Sequence, residues 1–118
     1  MRGANQAPFL LGALLLGGVL LAGVAHAQGA AAEGEKLAAD RAMGNCYACH
    51  TMKGSDVASN VGPELKGMKA RFPDRKALYD IIYDEETRNP QTVMPAFGKN
   101  LILSEHDISA IVDFLYTM

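Results

Sequence analysis

The sequence has few cysteines, no excess of basic charge and no pattern typical of β-strands. Two cysteines occur in 118 residues, whereas a structural zinc site usually takes four ligands from two clusters. The 13 acidic residues outnumber the 11 basic ones, and a nucleic-acid-binding protein needs a basic patch to displace phosphate counterions. No stretch reads as a strand pair or an internal repeat. These absences argue against a zinc domain and a nucleic-acid partner, and they favour a single all-α domain.

Both cysteines belong to one short motif, Cys-Tyr-Ala-Cys-His, which ends at His50. A thioredoxin-like redox pair would lie in a βαβ pattern and would not require the histidine. A disulfide between Cys46 and Cys49 would leave His50 unexplained. Covalent haem attachment accounts for all three residues, because each thiol adds to one haem vinyl group and the next histidine reaches the iron. We therefore predict one haem c, attached through Cys46 and Cys49, with His50 as the proximal iron ligand.

The N-terminal segment predicts export. Arg2 is the only charged residue before the apolar run FLLGALLLGGVLLAGV, which is followed by Ala-His-Ala, a small-x-small cleavage pattern. An uncleaved membrane anchor is the alternative, but this run is shorter than the roughly twenty residues that span a bilayer. We predict a signal peptide at residues 1–27, cleaved after Ala27, and a periplasmic domain at residues 28–118. The acidic balance of that domain argues against stable membrane association after cleavage.

Three helical stretches are predicted within residues 28–118. The first, AAEGEKLAADRAMG, is rich in helix-forming residues and is expected to end at Gly44. In the second, PDRKALYDIIYDEE, Pro73 suits the first helical position. The spacing i, i+3, i+4 predicts an apolar stripe on this helix, formed by Leu78, Ile81 and Ile82.

The third stretch, LSEHDISAIVDFLYTM, contains a helix-start signal and an apolar face. Ser104 is the predicted N-cap, and Asp107 follows three residues later in a variant of the capping box. The periodicity then places four residues on one face, namely Ile108, Ile111, Val112 and Leu115.

The second axial position of the haem iron needs a ligand, and Met94 is the predicted one. Pro95 biases Met94 toward an extended conformation in a loop that also contains Pro90 and Gly98. Such a loop can hold a thioether over the iron. The alternative is that Met94 is a flexible core residue, since methionine often fills irregular gaps.

The other candidates for that position are less suitable. Met43 and Met52 lie too close to the attachment motif to reach the opposite face of the ring, and Met118 stands at a terminus. Met68 is expected in a short polar turn. His106 would give a two-histidine site, but it lies about 160° around the helix from the apolar face and is expected to face solvent.

Four segments together resemble the SoxX family, the single-haem subunits of the SoxAX complexes of periplasmic sulfur oxidation. They are GNCYACH, NVGPEL, NPQTVMPAFGKN and LSEHDISAIVDFLYT, and the resemblance covers nearly all of residues 28–118. It implies a small class I cytochrome c fold, all-α, with three or more helices around a covalently bound haem. The resemblance to the wider family of c-type cytochromes implies that the carbonyl of Pro63 accepts a hydrogen bond from Nδ1 of His50, which fixes the histidine tautomer and raises its basicity.

The resemblance to SoxX further implies a heterodimer with a SoxA-like haem-containing subunit, and transient contact with a SoxY-like carrier and an acceptor cytochrome. Such complexes act as L-cysteine S-thiosulfotransferases, which join thiosulfate oxidatively to a carrier cysteine while two electrons leave through haem. Both thiols of this chain are used by the porphyrin, so no catalytic residue is expected here. Two other functions stay open: a free-standing electron shuttle, and a sensor in which Met94 leaves the iron.

Overall fold

The computed structural model describes the backbone of residues 18–118 and the side chains of residues 25–118. Four α-helices follow one another, α1 (Gly18–Ala39), α2 (Met68–Arg71), α3 (Arg75–Asp84) and α4 (Glu105–Leu115). Short 3₁₀ turns span Cys46–Ala48 and Glu85–Thr87. In this part of the chain the only β-type pairing is one isolated bridge between Met52 and Leu65. The predicted all-α class is confirmed.

The predicted signal peptide, residues 1–27, lies largely outside the described residues, and its cleavage stays a prediction. Helix α1 continues without a break from Gly18 through Ala27 to Ala39. Among the helices described here, none has both the length and the apolar character that a membrane crossing requires.

Helices α1 and α4 cross in close contact, and small residues on α1 make this possible. Gly34 is buried, and a Cβ atom at this position would overlap the main chain of Ala110 on α4. Ala38 is fully buried one turn later. The predicted apolar face of α4 is confirmed, because its four members are all buried: Ile108, Ile111, Val112 and Leu115.

The start of α4 follows the sequence prediction. The Asp107 amide donates to the Ser104 hydroxyl at 3.1 Å, and the Asp107 carboxylate accepts from the Ser104 amide at 2.9 Å. These reciprocal hydrogen bonds confirm the capping box. Hydrogen bonds from the Ser104 side chain and main chain hold the pKa of Asp107 below its usual value.

Helix α1 ends at Ala39 rather than at Gly44, so that predicted boundary is wrong. The side chain of Asp40 accepts a hydrogen bond from the Ala42 amide at 2.8 Å and begins a turn. Gly44 is required for a different reason. A Cβ atom there would lie only 2.9 Å from the carbonyl oxygen of Leu37, because the chain folds back closely against α1.

Helix α3 begins at Arg75, so Pro73 does not occupy its first position as predicted. Asp74 is the N-cap instead, and its carboxylate accepts from the Lys76 amide at 2.9 Å. The predicted apolar stripe is present: Leu78 and Ile82 are buried, and Ile81 is half-buried.

Arg75 also joins α3 to α4. Its guanidinium donates to the Asp113 carboxylate at 2.6 Å, and to the carbonyl and hydroxyl oxygens of Ser109 at 2.9 and 2.8 Å.

The turn that leads into α4 passes through Leu101, which has a positive φ of 55°. Its side chain is 88% exposed.

Candidate haem site

The two cysteines and the histidine of the motif occupy one tight turn. Asn45, in the left-handed conformation, precedes the 3₁₀ turn Cys46–Ala48. The amides of Cys49 and His50 both donate to the Cys46 carbonyl, at 3.2 and 2.9 Å. Both thiols are free and half-buried, and both line one large cavity with His50. The turn therefore presents two thiols and an imidazole to the same space.

Burial affects the acidity of the Cys46 thiol. Burial raises its pKa to about 11, although a main-chain hydrogen bond acts in the opposite direction. A redox-active cysteine pair depends on a lowered thiol pKa. A raised pKa at Cys46 is therefore not typical of such a pair.

His50 is oriented by the loop that follows the turn. Its Nδ1 lies 2.7 Å from the carbonyl oxygen of Pro63. Since a carbonyl can only accept, Nδ1 carries the proton and Nε2 keeps its lone pair for a metal. This is the contact that the resemblance to c-type cytochromes implies for Pro63.

Gly62 packs directly against the imidazole. A Cβ atom at this position would lie 2.7 Å from His50 Nδ1 and closer still to the adjacent ring carbon. The Gly62 amide donates to the Cys49 carbonyl at 2.8 Å, which holds the loop beside the motif. The loop thus forms a cradle for the ring, and only glycine at position 62 leaves enough room for the imidazole.

Met94 lines the same cavity as the motif. It is half-buried and packs against the hydrophobic core, and its amide donates to the Thr92 hydroxyl at 3.1 Å. The structure therefore brings the five predicted site residues together around one cavity: Cys46, Cys49, His50, Pro63 and Met94. Their roles toward haem stay predictions.

The other ligand candidates differ in their surroundings. Met68 opens helix α2 and is 2% exposed, so the predicted polar turn is wrong. Met68 also lines the cavity, and its sulfur accepts from the Arg71 guanidinium at 3.4 Å. The side chain of His106 is 75% exposed, and its Nδ1 lies 4.0 Å from a Glu33 carboxylate oxygen. The predicted exposure of His106 is confirmed.

The cavity has the size and lining that a haem needs. Its volume is about 860 Å³, within the range of about 300–1,000 Å³ that is usual for cofactor sites. Helices α2, α3 and α4 all contribute to it, and many of the lining residues belong to the apolar core, including Leu78, Ile82, Phe97, Ile111 and Leu115. A large apolar ring bound here would continue that core. Together with the thiols and the cradled imidazole, the residues present fit a covalently attached haem.

Sequence reasoning missed one charged pair in this cavity, Glu85 and Arg88. Glu85 is only 6% exposed, and its carboxylate accepts two hydrogen bonds from the Arg88 guanidinium, at 2.6 and 3.1 Å. Opposite charges three residues apart indicate an ion pair. Burial could not be inferred from that spacing, because such pairs are common on exposed helix surfaces.

Two comparisons with known proteins bear on the site. A protein-family model described as cytochrome c matches residues 31–118, which include the motif and all the predicted ligands. An uncharacterized lipoprotein of Aquifex aeolicus (strain VF5) is 36% identical over 74 residues. That similarity covers 62% of this chain and 36% of the relative, so the chain corresponds to about a third of the relative's length.

Proposed function

Because the chain belongs to the cytochrome c family, we propose that it is the electron-transfer subunit of a SoxAX-type complex in the periplasm. As a member of that family it binds covalently attached haem c and transfers electrons. The observation that carries the electron-transfer role is the His50 imidazole, held by Pro63 beside two free thiols in one haem-sized cavity. The assignment to sulfur oxidation is supported by the four segments that resemble SoxX.

In this proposal each predicted site residue has one task. Cys46 and Cys49 hold the haem through thioether bonds, and the haem supplies a one-electron redox centre when bound. Pro63 accepts the Nδ1 proton of His50, which directs Nε2 to the iron and raises its basicity. Met94 supplies a neutral thioether, which favours ferrous iron and raises the reduction potential. A high potential suits a subunit that accepts electrons from sulfur.

The chain has no thiol left for the sulfur chemistry itself. In the proposed overall reaction, a sulfur atom of thiosulfate forms a sulfur–sulfur bond with the carrier cysteine, and the thiol proton and two electrons leave. The chain contains two cysteines, Cys46 and Cys49, and in this proposal both form thioethers with the haem. We therefore assign the catalytic cysteine to the SoxA-like partner. This subunit accepts the electrons one at a time and passes them to an acceptor cytochrome.

Three exposed aliphatic residues along the cavity, called here the apolar rim, support the partner assignment. We define the rim as Val61, Val93 and Ile102, which all line the cavity although they are 59%, 79% and 37% exposed. Val61 adjoins the His50 cradle, and Val93 precedes Met94. Exposed aliphatic side chains along one cavity favour burial against a partner. A SoxA-like subunit on this rim would shield the haem edge and bring two haems close enough to exchange electrons.

Purification from the native periplasm tests the proposal. We expect a second haem protein to purify with this chain, and we expect only the pair to support thiosulfate-dependent modification of a carrier cysteine. Full activity of the isolated subunit would contradict the proposal. Recovery only as a monomer at native concentrations would favour the free-standing electron shuttle instead.

The rim is tested by Val61→Asp and Val93→Asp. Each substitution should weaken binding of the purified partner by about tenfold or more, because an apolar interface would bury an unpaired carboxylate. Val57→Asp is the matched control, since Val57 is 76% exposed but does not line the cavity. Titration calorimetry measures the affinities. Equal weakening by all three variants would point to net charge rather than to the rim.

A further inference from the structure

Glu85 is the one buried charged residue of the described part of the chain. Its side chain is 8% exposed, whereas that of its partner Arg88 is 65% exposed. A buried carboxylate is costly unless it is paired and hydrogen-bonded, and the ion pair with Arg88 meets that need. The residue faces the haem cavity, yet none of the tasks described above uses it.

A series of hydrogen bonds leads from Glu85 along the following loop to Met94. The Glu85 carbonyl accepts from the amides of Arg88 and Asn89, at 3.0 and 2.8 Å. The Asn89 carbonyl accepts from the Thr92 amide at 3.0 Å, and the Thr92 hydroxyl accepts from the Met94 amide at 3.1 Å. These contacts connect the main chain at Glu85 to Met94, so the position of Met94 is linked to the conformation at Glu85.

We propose that Glu85 is a positioning residue for Met94. Its carboxylate fixes Arg88 through two hydrogen bonds, Arg88 fixes the start of the loop 88–94, and the loop holds the thioether of Met94 on the haem iron. This inference rests on the ligand role of Met94 in the proposed function. Glu85 acts only through the loop.

The neighbouring carboxylates take part in a different network. Asp84 and Glu86 pair with Lys99, at 3.2 and 2.9 Å, and the Thr87 hydroxyl donates to Asp84 at 3.1 Å. They carry the same charge as Glu85 at adjacent positions, but they do not contact Arg88. Variants of these residues therefore serve as controls, because they change the charge near Glu85 without breaking its ion pair with Arg88.

Competition with imidazole tests the proposal in the oxidised, haem-loaded protein. Imidazole binds the iron only where the thioether has left, so its apparent affinity reports how firmly Met94 is held. Glu85→Gln should increase that affinity about two- to tenfold, the range that follows from losing one net hydrogen bond. Thr92→Val should do the same, because it removes the acceptor for the Met94 amide and keeps the side-chain shape.

Two matched variants should leave the imidazole affinity at the wild-type value. Glu86→Gln removes one negative charge next to Glu85, and Thr87→Val removes a hydroxyl outside the series. If Glu86→Gln raised the affinity as much as Glu85→Gln, charge alone would explain the effect and the positioning role would be overturned. If Glu85→Gln did not fold, as judged by circular dichroism, Arg88→Gln would decide the matter, because it breaks the same ion pair from its exposed side.

The sulfur-to-iron charge-transfer band distinguishes a failure of the positioning role of Glu85 from a failure of the ligand role of Met94, on which it rests. Met94→Ala should abolish the band in the oxidised protein. If the band survives in Met94→Ala, Met94 is not the ligand and both proposals fail. If Met94→Ala loses the band while Glu85→Gln and Thr92→Val bind imidazole like the wild type, the ligand assignment stands and the positioning role of Glu85 is wrong.

Discussion

At the scale of single residues, the orientation of His50 depends on a neighbour without a side chain. The imidazole is held on one side by the Pro63 carbonyl, 2.7 Å from Nδ1. Gly62 lies against the ring itself. Because packed interiors give little space to a new atom, the ring has one orientation in which the hydrogen bond to Pro63 and the contact with Gly62 are both satisfied.

Gly62→Ala should therefore disturb the haem site directly. The added methyl group would overlap the His50 ring, so the imidazole must rotate away from Pro63. We expect the free energy of unfolding of the haem-loaded protein to fall by about 1–3 kcal/mol, the usual cost of overpacking. Urea denaturation measures this loss, and the electron paramagnetic resonance spectrum of the ferric protein should report the rotated ligand. Gly29→Ala is the control, because a Cβ atom at Gly29 meets nothing within 4 Å.

A local motif was enough to predict that the two cysteines and the histidine share one cavity, while their roles toward haem stay predictions. The spacing of Cys46, Cys49 and His50 indicated their shared surroundings without any knowledge of the fold. Met68 was misplaced because its neighbours in sequence are polar, while its burial comes from distant partners. Its amide donates to the Met118 carbonyl at 3.1 Å, fifty residues away in sequence. Contacts of that range leave no local pattern.

At the scale of secondary-structure elements, the crossing of α1 and α4 carries most of the packing between helices. Cleavage after Ala27 would leave α1 with only residues 28–39. Isolated helices shorter than about 12–15 residues are marginal in water. The helical state of α1 must then depend on contact with α4, and that contact depends on Gly34.

Gly34→Val tests this dependence. A side chain at Gly34 would overlap the main chain of Ala110, so the two helices must separate. We expect the free energy of unfolding to fall by about 3 kcal/mol, at the upper end of the usual overpacking range, with loss of helical circular dichroism signal from α1. Gly29→Val, on the same helix, should have a much smaller effect. Equal destabilisation by both variants would show that helix propensity, and not the crossing, determines the stability of α1.

The elements themselves were predictable to different degrees. Helix α4 was predicted correctly, because the capping box of Ser104 and Asp107 and the apolar face are local signals. The end of α1 was not, because Asp40 competes with the helix by accepting a hydrogen bond from a nearby amide. The start of α3 was displaced for a similar reason, since Asp74 caps the helix after Pro73. Side chains that can bond to the main chain decide such boundaries.

At the scale of the whole molecule, the fold is arranged around a cavity of about 860 Å³. A domain of this size buries a modest fraction of its surface, so a covalently held apolar cofactor can complete the core. Without haem, the core residues that line the cavity would lose the apolar ring that they pack against. The helices would then have little to pack against on that side.

Cys46→Ala combined with Cys49→Ala should therefore impair folding as well as haem attachment. We expect the double variant, isolated without haem, to lose most of its helical signal and its cooperative thermal transition. Circular dichroism measures both. His106→Ala, at an exposed position outside the cavity lining, should leave them unchanged. Full helicity and cooperative melting of the double variant without haem would mean that the protein core is complete by itself.

The sequence also predicted the class of fold and the presence of one haem site, but not the apolar rim. Val61 and Val93 lie in loops, and nothing local distinguishes an exposed valine from a buried one. Their exposure follows from how both loops approach the cavity, which depends on the packing of the whole chain. The volume of the cavity is a global property for the same reason.

Leu101 has a consequence for laboratory evolution toward heat resistance. A leucine with positive φ costs about 1–2 kcal/mol relative to the right-handed conformation, and with 88% of its side chain exposed it gains little burial in return. Glycine adopts this conformation without strain. Selection for thermal tolerance would therefore find an advantageous change at a turn that does not line the haem cavity, so tolerance could rise while the redox properties stay the same.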